Sequence, residues 1–400
     1  MKNLKQAVSK IINETEIFDI HTHLFPAEFK KYHLSGISEV LNYHYLIAEL
    51  FTTTNINIKK FYKLTNEERS NIIWEELFRK RTPISEACKG VLTILSELSI
   101  DYMSKSFDEI QSEYCKLNLS DQQIFKISKI SQVVMTNNPF DKSEWKLFKN
   151  KNWDTNKYLA SLRLDDILMN LEKCLDICKE NIDRFDDEGD LIIKYLDKVY
   201  EESRPVYTAL SLNNLQLKSF LKNKFIPDIL KWLERKNIPL SLLLGVRRKV
   251  NKDFLLAGDG IDKIDLYYLS EICNQYPNNK ILCSCLSLND QHELTVLARK
   301  HQNLKIFGFW WFMNQPSLIT LILNLRIELL GLNFIPQHSD ARVTDQLIYK
   351  WIHFKTLLSN VLFNHYNNIQ IKNFKISENQ ISDDVSKLFY KNTQNFLNLS

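Results

Sequence analysis

Ile17-Phe18-Asp19-Ile20-His21-Thr22-His23 is the stretch that decides how this chain is read. It starts as a short apolar, strand-like run and closes on two histidines. Side chains two apart on a strand point the same way, so His21 and His23 present their imidazoles together. Two imidazoles converging from a strand end make half of a divalent-metal site. An H-x-H pair alone is a weak signal, because any two histidines can fall two apart. Gln337-His338-Ser339-Asp340-Ala341-Arg342, near the other end, adds a carboxylate after a second apolar run. The fold must therefore bring these two ends together.

Short apolar or β-branched runs recur between them. Strands are expected at about Ile17–Ile20, Val133–Thr136, Tyr158–Leu162, Val206–Ser211, Leu240–Leu244, Ile281–Leu286, Ile306–Trp310 and Asn333–Gln337. Amphipathic stretches alternate with them, at Leu164–Lys179, Leu217–Arg235, Leu266–Tyr276, Leu288–Lys300 and Pro316–Leu330. Strand–helix alternation implies parallel βαβ units, and eight strands close a (β/α)8, TIM-like barrel. First and last strands are neighbours in such a barrel, so His21, His23 and Asp340 can share one metal. Catalytic groups come from the C-terminal strand ends. Those ends carry Asn137 and Asn138, Arg163, Arg247 and Arg248, Trp310 and Trp311, and finally Asp340 and Arg342.

One connection is long. Residues 27–130, after the first strand, hold no convincing strand and read as helices at Ser38–Phe51, Asn66–Phe78 and Ser85–Leu98. Thr65-Asn66-Glu67-Glu68 is a capping-box pattern that starts the second of these. We read this α/β chain as a single barrel domain over residues 1–400, with the insertion as a helical cap above the active face.

Composition excludes other classes. The 400 residues are 44% hydrophobic, enough to bury a large core, and their formal charge is only +4. Without a block of like charges, no nucleic-acid or anionic-membrane partner is expected. No apolar stretch is long enough to span a membrane. Met1–Ile12 reads as an amphipathic helix, without the apolar core and cleavage site of a signal peptide. Seven cysteines without framework spacing suit reduced, buried thiols and a cytoplasmic location. Cys283 and Cys285 read as core packing.

Several pieces, in order, carry a resemblance: Phe18–Leu24 with its two histidines, Tyr43-His44-Tyr45, Thr136-Asn137-Asn138-Pro139-Phe140-Asp141 and Leu162-Arg163-Leu164-Asp165. Gly258-Asp259-Gly260-Ile261-Asp262, Trp310-Trp311-Phe312 and Asp340-Ala341-Arg342 follow. With these the chain resembles the amidohydrolase superfamily and, within it, the uronate (glucuronate) isomerases. Thr82–Cys88 and the segment around Phe334–Trp351 resemble a shorter, divergent branch.

The resemblance implies a metal-assisted aldose–ketose interconversion of a hexuronate, an anionic, sugar-like small molecule. One divalent ion, zinc ahead of manganese, would sit on His21, His23 and Asp340. Asp340 would move a proton between adjacent carbons, with Tyr45 and Arg342 in the catalytic set. Arg163 and Arg342 would hold the carboxylate and hydroxyls. Trp310 or Trp311 would wall the pocket, and His44 and Arg248 complete the substrate-contacting set.

Departures from the superfamily pattern bear on the chemistry. Tyr207-Thr208-Ala209-Leu210-Ser211 carries no bridging lysine or carboxylate, Leu242-Leu243-Leu244-Gly245 puts leucine where a histidine is expected, and Ile281–Leu286 offers only cysteines and serine. A mononuclear site remains. That leaves a mononuclear hydrolase as the alternative activity and a scaffold without turnover as the third.

Each residue also has a plainer reading. His44 and Tyr45 suit ordinary helix packing, and Arg163 suits pairing with Asp165 or Asp166. Only one of Trp310 and Trp311 can face the barrel mouth, and only one of Arg247 and Arg248. His338 could join the metal shell or be a hydrogen-bonded core histidine. A homo-oligomer is compatible with the sequence.

Overall fold

The computed structural model describes residues 2–150 and 152–399. All barrel strands run parallel. Ile17–Asp19, Ile130–Val134 and Tyr158–Leu159 form one sheet in that order, and Leu162–Arg163, Thr208–Leu212, Leu240–Leu244, Ile281–Cys285 and Leu304–Ile306 form a second. The expected third strand thus splits into two pieces, Tyr158–Leu159 and Leu162–Arg163. They are joined across Asn137–Leu162 and by the bonds of Ser161 with Met135 and Asn137.

The seventh and eighth runs depart from the sequence reading. The seventh strand ends at Ile306 because Gly308 turns the chain at φ +60°. Asn333–Gln337 forms no regular strand; a single bridge, Phe307 to Ile335, holds it beside the seventh. Two further backbone bonds close the circuit to the first strand: Asp340 N to the His21 carbonyl (3.1 Å) and His23 N to the Ala341 carbonyl (2.7 Å).

The period of two along each strand separates two cores. Phe18, Ile20, Val134, Tyr207, Ala209, Leu243, Leu282, Phe307 and Ile335 form one buried cluster, the barrel interior. Ile17, Val133, Leu210, Leu242, Cys283 and Ile306 belong to the larger cluster shared with the surrounding helices. Leu397, from the C-terminal helix Asn392–Leu397, joins the interior cluster. Cys283 and Cys285 are buried, as packing requires, and all seven cysteines are free.

The long insertion is helical throughout. Its expected first helix is two, Ile37–Leu41 and His44–Thr53, broken where Tyr43 turns extended. Asn42 supports the break by donating from Nδ2 to the carbonyls of Ser38 and Asn66, both at 2.9 Å. His44 and Tyr45 consequently lie in the first turn of the second helix. Thr65 and Glu68 form the expected capping box for Asn66–Trp74. Phe51 packs on Phe254 and Tyr62 donates to the Phe254 carbonyl (2.7 Å), so the insertion grips the loop after the fifth strand.

The N-terminal helix runs Lys2–Glu14, and Met1 of the expected Met1–Ile12 lies outside the described residues. A 26-residue helix, Gln346–Ile371, follows the last barrel segment. No helix among the described residues is long and apolar enough to cross a membrane.

Candidate active site

Both histidines leave the first strand where its ladder ends at Asp19, and the two backbone bonds around His21 and His23 bring Asp340 against them. Asp340 takes up φ +51°, a left-handed conformation that aspartate tolerates better than most residues. Asp19 locks the junction. It accepts from Ser339 N through Oδ1 and from Trp351 Nε1 through Oδ2, both at 3.0 Å. Burial pushes its carboxyl up to about 6 despite those hydrogen bonds.

Asp340 Oδ1 lies 3.7 Å from His21 Nε2 and 3.4 Å from His23 Nε2. The three ligand atoms all lie within 4.8 Å of one another. Donors around a tetrahedral zinc with bonds of about 2.0–2.1 Å stand roughly 3.3–3.4 Å apart, close to both Asp340 distances. The set fits a single divalent cation.

The protonation states suit that reading. Burial holds both imidazoles below their ordinary range and therefore neutral, with lone pairs to offer. Burial alone would raise the Asp340 carboxyl. The close contact with His23, together with the nearby His21 and His338, instead keeps it below the usual carboxylate range. The tautomer of His21 follows from Tyr207. Tyr207 donates its single hydroxyl proton to the Ile20 carbonyl (2.9 Å), so at His21 Nδ1, also 2.9 Å away, it must accept. The His21 proton is on Nδ1, which leaves Nε2 facing Asp340.

Several buried polar atoms near this cluster have no partner among the described residues: Asp340 Oδ1 (apart from its imidazole contacts), His44 Nε2, the Tyr45 hydroxyl, Trp311 Nε1 and both nitrogens of His338. Buried polar groups are normally satisfied, so such a concentration marks a place built for a ligand.

The structure groups the sequence-derived residues unevenly. His44 meets Trp311 with ring centroids 5.0 Å apart, which ties the cap to the end of the seventh segment. Trp311 is therefore the tryptophan that faces the cap, while Trp310 is buried in the interior cluster. Tyr45 stacks edge-on against His44 at 4.5 Å. Arg163 is half-buried, pairs with Asp165 at 3.3 Å, and its field, with that of Arg342, reaches His23. Arg342 is exposed, and its backbone N donates to Gln346 Oε1. Arg248 is held by Asp259 at 2.6 Å in the loop after the fifth strand. His338 packs beside His21, centroids 5.3 Å apart, outside the three-ligand cluster.

Sequence reading passed over Tyr207, Glu144 and Lys350. Glu144 accepts from Asn138 N (2.9 Å) and Asn137 Nδ2 (3.2 Å), and burial pushes its carboxyl up to about 7.

Among solved structures, a uronate isomerase from Bacillus halodurans matches with a TM-score of 0.93 and 36% identity, covering 99% of this chain and 96% of that one. The chain belongs to the uronate isomerase family. A uronate isomerase from Thermotoga maritima (TM-score 0.78, 16% identity, 99% of this chain and 97% of that one) shares the fold. So does a glucuronate isomerase from Caulobacter crescentus (TM-score 0.79, 12% identity, 100% and 94%). No family model matches the sequence, and no curated protein does.

Proposed function

We propose that this chain is a metal-dependent isomerase that interconverts the aldose and ketose forms of a hexuronate. The observation that carries this reading is the His21–His23–Asp340 cluster, in a uronate isomerase-family chain, ringed by buried donors and acceptors without partners.

His21, His23 and Asp340 would hold one divalent ion, zinc by preference for two nitrogens and a carboxylate, with manganese the alternative. Such an ion would polarise the substrate oxygens bound beside it. Aldose and ketose differ by one hydrogen moved between C2 and C1 and one hydroxyl proton moved between O2 and O1. No oxidant or reductant is required. Asp340, kept ionised, takes the C2 proton and returns it to C1. Tyr45 and His44 offer the buried hydroxyl and ring nitrogen that carry the hydroxyl proton. Arg163 and Arg342 bind the carboxylate and remaining hydroxyls, a task suited to the guanidinium fork. Trp311 closes the pocket under the cap and excludes water.

Incubating zinc- or manganese-loaded protein with glucuronate and galacturonate, then resolving aldose from ketose by chromatography, tests the reading. An aldose–ketose mixture reached from either side supports it. A protein that holds one metal per chain but leaves both sugars unchanged refutes it for these substrates.

A further inference from the structure

The helix Gln346–Ile371 stands behind the site and touches it three times within two turns. Gln346 Oε1 accepts from the backbone of Arg342 (2.9 Å) and Val343 (3.2 Å). Trp351 donates to Asp19 (3.0 Å), which in turn holds Ser339. Between them is Lys350, one helical turn beyond Gln346 and 2% exposed. Its ammonium has no hydrogen-bond partner among the described residues. The Tyr45 ring, 5.2 Å away, and the Tyr349 ring, 6.0 Å away, are what it faces.

An unpaired buried ammonium is costly, and a methionine would fill the same space without that cost. Packing therefore gives no reason for a lysine here. The carboxylates whose fields reach it are Asp340, Asp19 and Glu86. Its own field reaches His44 and His338. Nothing in the proton transfer assigned to Asp340 or in the metal cluster uses it.

We propose that Lys350 is a positioning residue, a buried cation that holds the Tyr45 ring by a cation–π contact and keeps its hydroxyl at the site. The inference rests on the isomerase reading. The lysine gives up folding stability for the placement of Tyr45, the kind of exchange functional sites make. Its ammonium makes no hydrogen bond to any of the three candidate metal ligands.

Lys350→Met, Tyr45→Phe and the double variant, each metal-loaded, test this through kcat, KM, metal content and Tm. Lys350→Met is expected to keep one metal per chain and to melt at or above the parent temperature. Its kcat should fall at least about tenfold while KM stays within about threefold. The double variant should lose no more than Tyr45→Phe alone, because the lysine acts through that ring. A kcat within about threefold of the parent, or losses that multiply, overturns the proposal. A lower Tm in Lys350→Met overturns it independently of turnover, since that would make the lysine a stabilising residue. If the parent holds its metal but converts neither sugar acid, the isomerase reading fails, and the Tm comparison still decides whether the charge costs stability.

Discussion

Tyr207 accepts a hydrogen bond from His21 Nδ1 at 2.9 Å and passes its own proton to the Ile20 carbonyl. One phenol thereby fixes the tautomer of a candidate metal ligand from within the barrel interior. Tyr207→Phe keeps the ring and removes the acceptor. Partners of this kind are worth about 10- to 100-fold in metal affinity, and competition against a chromogenic chelator should reveal a loss of that size. Unchanged affinity would mean that backbone packing alone orients His21.

Gly308 turns the chain at φ +60°, and a Cβ there would lie 1.7 Å from His338 Nδ1. Arg326 fixes the same turn by donating to the Gly308 carbonyl at 2.9 Å. Gly331 also has a positive φ, +61°, but nothing lies within 4 Å of its would-be Cβ. Gly308→Ala should therefore lower Tm well beyond Gly331→Ala, which carries only the backbone strain of its positive φ. Equal effects would show that His338 can move aside.

Glu144 gives a pH dependence whose sign can be worked out. Its folded pKa, about 7, is raised above the ordinary 4.5 by burial. Between those values the folded chain binds the proton more tightly than the unfolded chain, so stability falls as pH rises through that window. The loss amounts to roughly 3 kcal/mol at most. Glu144→Gln keeps the acceptor for Asn138 N and removes the charge. Urea midpoints from pH 5 to pH 8 should fall more steeply for the parent than for the variant. Parallel curves would contradict the assignment.

Two arginines should separate in kinetics. Arg163 is half-buried and its field reaches His21 and His23, whereas Arg248 is engaged with Asp259 in the outer loop. Arg163→Met should raise KM at least about tenfold, and Arg248→Met by about threefold or less. The reverse order would place the substrate carboxylate under the outer loop.

The barrel was legible because period-two alternation puts Phe18 and Ile20 on the inside while Ile17 faces the helices. The convergence of His21, His23 and Asp340 was legible because they fall at strand ends that such a barrel makes adjacent. The eighth strand misled because apolar content around Phe334 and Ile335 says nothing about the turn at Gly308 that leaves room for one bridge only. The break at Tyr43 was hidden because it depends on Asn42 reaching Asn66, 24 positions away. Tyr207 was missed for the same reason, its partner His21 lying 186 positions upstream. Lys350, on a long helix, reads from sequence as a solvated charge and becomes informative only once it is seen to be buried.

Proton NMR of the metal-loaded protein with glucuronate in deuterium oxide tests the central claim most directly, with Asp340→Asn as the control. The account predicts ketose formation, loss of the aldose H2 signal into the product, and no conversion in the variant. A bound metal with no conversion, or full conversion by Asp340→Asn, would contradict it.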